Sequence, residues 1–299
     1  MIDKTLVVIS YYDRRPIDNL LELLDSLYKY PSGEDFDIAV VVNRTKNESI
    51  SVPQLSSAAI HYRHNIGMNI GAWDYGWRQC SDYRHYLFLQ DECYAIRENW
   101  LAAYKAALES PKVGMVGESL NTLWNKPWRE LRKLFSGIVL PEHRIGDSCV
   151  NRVDFYLNFF RANGVDAGVD GQHLRSVVWF FSGDTLKKIN GFLIGRNYGE
   201  CIAAEIATSK KVESLGCDLV QVNQHEEFFY IRHLEYNQDC PGSPYAHDVK
   251  YVDYASVQRL LESKEKQAWS LLKHTIQKIF RLGEAKTSIT RVSPRKSAH

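Results

Sequence analysis

The chain carries almost no net charge: 37 Lys and Arg stand against 36 Asp and Glu over 299 residues, leaving +1. It therefore lacks the basic field that marks whole-molecule nucleic-acid binders, and no nucleic-acid partner is expected. It also lacks zinc signatures. The six cysteines (Cys80, Cys93, Cys149, Cys201, Cys217 and Cys240) include no C-x-x-C and no pair at zinc-like spacing. No apolar run is long enough to span a bilayer, and Met1-Ile-Asp-Lys leads into a strand-like run rather than a signal peptide. These absences together point to reduced thiols and a cytoplasmic address. No internal repeat is visible.

What is present is ordinary for a globular protein, with 44% hydrophobic and 24% charged residues. The length accommodates one large domain, or one domain with a modest appendage. Aromatics make up 12%. At any one position a core role outweighs a stacking surface for bases or sugars, because these rings bury so much area.

The order of elements is legible in the hydrophobic pattern. Thr5-Leu-Val-Val-Ile-Ser10 is a short β-branched run expected to form a buried parallel strand. Pro16 opens a helical pattern with Leu20, Leu23, Leu24 and Leu27 on one face. Phe36–Val42 and Ala58–Tyr62 read as further strands, His85–Leu89 and Val113–Val116 as others, and Glu98–Leu108 as a helix. Residues 119–150 read as irregular, either an acceptor-side loop or an excursion packed by its own aromatics. Ser176–Phe181 reads as a strand and Gly199–Leu215 as a helix stopped by Gly216, with Asp218–Val222 as the last strand. Alternating strands and helices predict an α/β fold, Rossmann-like, with a mostly parallel sheet flanked by helices. Ligands in such folds sit at the carboxyl ends of the strands. That edge receives Tyr11, Tyr12, Asp13, Asn43 and Asn65.

Two local patterns carry chemistry. Asn65, Gly67, Asn69 and Gly71 form a polar, glycine-rich turn into a helix, where a backbone can approach a phosphate or ribose closely. His85-Tyr-Leu-Phe-Leu-Gln-Asp-Glu92 is an apolar strand ending in adjacent carboxylates. Hard oxygens at that edge suit Mg²⁺ or Mn²⁺ bridging a diphosphate. A solvated strand end is the plainer reading.

In order and spacing these pieces resemble the GT-A glycosyltransferases, in particular the family-2-like inverting group. The matching residues are Val7-Val-Ile-Ser-Tyr-Tyr12, Asn65-Ile-Gly67, Gln90-Asp-Glu92 in place of the D-x-D element, and Phe181 through Gly191-Phe192. Asn65-Ile-Gly-Met-Asn-Ile-Gly-Ala-Trp73 looks especially like transferases of rhamnan, O-antigen and lipopolysaccharide assembly. The resemblance covers about residues 5–233. It implies a GT-A domain over 1–255, with a nucleotide-binding half near 1–118 and an acceptor-side half near 119–255. It implies a nucleoside-diphosphate sugar donor, bound by Ser10, Tyr11, Tyr12, Asn43, Asn65, Gly67, Asn69, Gly71 and Gln90. A divalent cation on Asp91, Glu92 and a histidine after the last strand (His225, preferred over His233 as nearer the strand end), and a glycan or lipid-linked acceptor, complete the expectation. The chain departs from the family by carrying Asn43 and Gln90 where Asp is usual, and Asn69 where the nearest group tends to have Asp.

The resemblance also places a catalytic carboxylate on the helix after Gly191-Phe192, about three turns before a glycine. Counting back from Gly216 gives Glu205, with Glu200 in reserve. Beyond residue 255, Leu260, Leu261, Trp269, Leu271, Leu272, Ile276 and Phe280 can share much of one side of an amphipathic helix leading into a basic tail. That segment is expected to dock on the domain or to contact the inner membrane peripherally. Two rivals remain open: a sugar-nucleotide-binding partner without catalysis, and a metal-assisted nucleotidyltransferase or hydrolase.

Overall fold

In the first strand, β1 (Ile2–Tyr12), both faces are buried: Val7 and Ile9 enter one core cluster, Leu6 and Val8 the other. A strand apolar on both sides must be covered on both sides, and this one sits inside a three-layer α/β fold. The computed structural model describes residues 2–45, 49–50, 53–136 and 143–234. The expected amphipathic segment and basic tail, and Cys240, lie outside the described residues.

On one face lie α1 (Ile17–Lys29), which buries Leu20, Leu23, Leu24 and Leu27, and, further along the chain, Trp100–Leu108. Between them come β2 (Phe36–Arg44) and β3 (Ala59–His64), then α2 (Met68–Gln79) on the opposite face, and β4 (Tyr83–Gln90) followed by the short β5 (Cys93–Ala95). The Trp100–Leu108 helix is α3, and β6 (Val113–Gly117) follows it. Each fully buried leucine in such a layer is worth about 1.5–3 kcal/mol.

The stretch read as irregular is partly ordered. It holds α4 (Trp128–Leu134) and a two-stranded hairpin of β7 (Arg144–Ile145) and β8 (Ser148–Cys149). α5 (Arg152–Ala162), capped by Asn151, comes next. Aromatic contacts organise this region: Trp124 stacks on Phe135 at 5.0 Å between centroids and meets Tyr156 at 5.7 Å, and Trp128 meets Phe160 edge-on. Such contacts leave no simple periodicity in the sequence. The chain then forms β9 (Val178–Ser182), α6 (Gly183–Lys188), α7 (Tyr198–Glu213) and β10 (Asp218–Gln221). Gly216 stops α7 as expected, at φ +75°.

The seven-stranded sheet has the order β10-β6-β9-β4-β1-β2-β3. β9 pairs antiparallel with β4 and β6 while the remaining pairs are parallel, so six strands present their carboxyl ends at one edge. β10 is not the last strand: β11 (Ile231–His233) follows and pairs antiparallel with β5. Three residues are too few to show a period. Among the described residues no helix is long and apolar enough to cross a membrane.

Candidate functional site

The parallel register brings the expected edge residues together. Ser10 lies opposite Gln90 and Tyr12 opposite Asn43, and the Asp91 N–H donates to the Ser10 carbonyl at 3.1 Å. Two of these residues are committed to the fold. Tyr11 is buried and its hydroxyl donates to the Arg15 carbonyl at 3.0 Å. Asn43 is buried, donates Nδ2 to the Met68 carbonyl at 3.0 Å and accepts from Arg63 at 2.8 Å. An ionised Asp there has no donor to offer the Met68 carbonyl, which accounts for Asn at this position.

The glycine-rich turn forms as expected. Gly67 takes φ +77° at the entry to α2 and packs on Ile194. At Gly71 an added Cβ would collide with the Ile66 carbonyl, so only glycine lets the turn close on the helix. Asn65 is exposed at this turn, whereas Asn69 reaches across to donate Nδ2 to the Ser176 carbonyl at 2.7 Å.

At the end of β4, Asp91 is 3% exposed, with Oδ1 at 3.3 Å from Arg15 Nη1. Its Oδ2 is buried without a hydrogen-bond partner. The same Arg15 nitrogen pairs with Glu92. Burial pushes the Asp91 carboxyl up to about 7 against the pull of Arg15, and the Glu92 charge adds to the rise. His233, delivered by β11, is 1% exposed, with Nε2 at 3.5 Å from Glu92 Oε2 and 3.3 Å from Gln90 Oε1. Burial, helped by Arg15, pushes its imidazole down to about 3, so the ring is neutral. His225 lies elsewhere, exposed on the turn after β10, with its N–H on Asn223 Oδ1 at 2.9 Å. The histidine beside the carboxylates is thus His233 rather than His225.

What delivers His233 is a buried carboxylate. Glu118 accepts from Tyr104 Oη at 2.6 Å and from the N–H groups of Phe229, Tyr230 and Ile231 at 2.8, 3.2 and 2.9 Å. Burial pushes its carboxyl up to about 7, against those four donors. Glu118→Ala strands them, so unfolding is expected to become easier by about 3 kcal/mol. An unchanged urea midpoint would show that the 228–231 turn is held by other means.

The donors at the β4 end fit a hard divalent ion in chemistry: two carboxylates, one with an orphan oxygen, and a neutral imidazole. Among the described residues no three His, Cys, Asp or Glu are grouped so that together they could hold a metal ion. Such an ion would therefore rest on few protein ligands and share its shell with substrate phosphates.

Glu205 lies on α7. Ser176 Oγ donates to its Oε2 at 2.5 Å, and His173 Nε2 stands 3.3 Å from its Oε1. Burial alone would raise this carboxyl, but the hydrogen bond and charge of His173, Ser176 and the Arg175 charge together hold it below the ordinary value. Glu205 is accordingly ionised at neutral pH. Glu200 does a different job: with Asn197 it caps α7, accepting the Arg196 N–H at 2.7 Å while its own N–H donates to Asn197 Oδ1 at 2.9 Å. It also lines a cavity of about 350 Å³ with Arg144, Phe159, Ile194 and Arg196.

Ser176 joins the two groups of carboxylates. Its carbonyl accepts from Gln90 Nε2 at 2.6 Å as well as from Asn69, and its hydroxyl holds Glu205. This is a role for Gln90 that an ionised acid could not fill, since it has no N–H to donate. Of the two histidines that follow β10 in sequence, His225 is nearer the strand end but the fold brings in His233; Arg15, His173 and Ser176 have no such signal. No short-range motif marks them, and only the fold brings them in.

By sequence the chain matches no family model and no curated protein. Among solved structures it is similar to the mannosyltransferase PcManGT from Pyrobaculum calidifontis in complex with GDP-Man and Mn²⁺, at 15% identity and TM-score 0.46, covering 73% of this chain and 54% of that one. It is similar to GalNAc-T7 with UDP, GalNAc and Mn²⁺, at 12% identity and TM-score 0.46, covering 72% and 41%. It is also similar to S. aureus TarS, at 14% identity and TM-score 0.42, covering 76% and 36%. The chain spans between about a third and just over half of the length of those proteins.

Proposed function

We propose that the protein is a glycosyltransferase that moves one sugar from a nucleoside-diphosphate donor to a hydroxyl of a glycan or lipid-linked acceptor, with inversion, in cell-surface polysaccharide assembly. The observation that carries this reading is the linkage, through Ser176 and Gln90, of the strand end that bears two carboxylates to a third carboxylate on α7. Asp91 and Glu92 end β4 beside the Arg15 guanidinium, and Glu205 stands ionised on α7, tied to that strand end through Ser176.

Ser10, Tyr12, Asn65 and the backbone around Gly67 would bed the nucleotide. Asp91 and Glu92 would hold Mg²⁺ or Mn²⁺ together with the donor phosphates, with His233 beside them in the place expected of His225. That ion would neutralise the charge developing on the diphosphate. Arg15 is a second positive group at the same spot. Glu205 accepts the acceptor hydroxyl's proton as that oxygen bonds to C1 of the donor sugar. The C1–O bond to the diphosphate breaks on the opposite face, and the diphosphate leaves with the electron pair. Peripheral membrane contact through the segment beyond residue 255, at the cytoplasmic face, completes the proposal.

Incubating the full chain with a panel of nucleoside-diphosphate sugars, Mn²⁺ and glycan acceptors tests it. A glycosylated product that forms only with an acceptor present is the expected result. Donor hydrolysis without acceptor would point to a hydrolase, and donor binding without any product to a non-catalytic partner.

A further inference from the structure

We propose that His173 positions Glu205 and holds the proton that this carboxylate takes up, so that the two side chains act as one base. The proposal rests on the reading of Glu205 given above and adds a second group to it.

The case is built from what each ring nitrogen faces. His173 is buried on the extended segment before β9. Its Nδ1 lies 2.7 Å from the Gly171 carbonyl, which can only accept, so Nδ1 carries a proton. Its Nε2 lies 3.2 Å from Asn121 Nδ2, which can only donate, so in the neutral ring Nε2 presents its lone pair. The same Nε2 is 3.3 Å from Glu205 Oε1. Two acceptors therefore face one another, and a proton placed between them is bound by both. Turning the Asn121 amide over puts Oδ1 against Nε2, which suits the protonated ring. The assignment of that amide thus follows the proton and does not remove the place for it.

In the transfer step the acceptor O–H bond breaks as the O–C1 bond forms, and the proton goes to the Glu205 carboxylate. From there it is shared with His173 Nε2, either as carboxylic acid and neutral imidazole or as carboxylate and imidazolium. The count of charge is the same in both forms. Ser176 Oγ meanwhile holds Oε2, which fixes the carboxylate plane from its other side. Nearby charge comes from Arg175, which acts on Glu205 and also on Glu227 across the cluster. The depressed titration of Glu205 belongs to the form in which the proton sits on His173 Nε2 and is donated to Oε1.

Three measurements on the full chain test this. First, a long-range proton–nitrogen NMR spectrum of the wild type above neutral pH should show the His173 ring protonated at Nδ1 and bare at Nε2. The opposite tautomer overturns the proposal, and this measurement requires no variant to fold. Second, in His173→Gln the Glu205 carboxyl carbon should titrate about one pH unit higher than in the wild type, since a partner favouring its charged form is gone. Third, His173→Gln should lower turnover about tenfold or more, with donor binding kept and the acidic limb of the pH profile moved upward with the carboxyl. A lower turnover with an unmoved limb would mean that His173 only packs, and would overturn the proposal. Wild-type protein with no transfer activity on any donor removes Glu205 as base and the shared base with it. An unmoved Glu205 titration in active His173→Gln removes His173 alone.

Discussion

Glu205→Gln is expected to lower sugar transfer on the order of a hundredfold or more while leaving donor binding nearly unchanged. The substitution keeps the shape of the side chain and removes its basicity. The fold should survive it, because a Gln oxygen still accepts from Ser176 Oγ and a Gln N–H can donate to the lone pair on His173 Nε2. Stability gives an independent check of the carboxylate. Its folded-state titration lies below the unfolded value, so its charge stabilises the fold above the unfolded value, and that contribution fades as pH falls through the folded one. The variant should therefore melt lower than the wild type near neutrality and converge with it in acid. Glu200→Gln serves as the contrast: a Gln oxygen still accepts the Arg196 N–H and the main-chain N–H of residue 200 still donates to Asn197, so the cap is kept and turnover should stay close to normal. If Glu200→Gln is the inactive protein instead, the base is Glu200.

What was legible in the sequence and what was not divide along the length scale of the interactions. The doubly covered strand β1, the leucine face of α1 and the Gly216 stop are written in local periodicity, and they appear where that periodicity puts them. The same holds for the strand-end carboxylates and the glycine turn, which are short and contiguous. The site that joins them is not contiguous. Ser176 meets Asn69 across 107 positions and Gln90 across 86, and His233 meets Gln90 across 143. Nothing near Ser176 or His233 in the chain announces a partner so far away. Polar identity alone also misled in part. Tyr11 and Asn43 sit at the right edge, yet their polar atoms are spent on the Arg15 and Met68 carbonyls, holding the turns that a ligand would meet. Gln90 and Asn43, read as departures from an acidic pattern, donate hydrogen bonds that an ionised acid could not supply.

The second large effect is expected at Asp91, and it has opposite signs for function and for stability. Asp91→Asn should abolish transfer and any Mn²⁺-dependent strengthening of donor binding, because a neutral amide is a poor ligand for a hard cation. The same change should stabilise the metal-free protein above neutral pH. The Asp91 carboxyl titrates near 7 when folded, against 3.8 for an unperturbed aspartate. A carboxyl raised in this way supports the fold fully at pH below the unfolded value and loses that support as pH rises through about 7. Ionising it in the free protein costs stability, by up to about 4 kcal/mol for a three-unit rise and less once Arg15 adjusts. The substituted amide has no charge to bury, so the melting temperature of Asp91→Asn should exceed that of the wild type at pH 8 and fall level with it, or below it, at pH 5. Adding Mn²⁺ should then raise the wild type alone, since an ion that binds only the folded carboxylate offsets its cost. Equal melting of the two proteins at pH 8 would mean that Arg15 already neutralises Asp91. A Mn²⁺ shift that persists in Asp91→Asn would place the ion somewhere other than the end of β4.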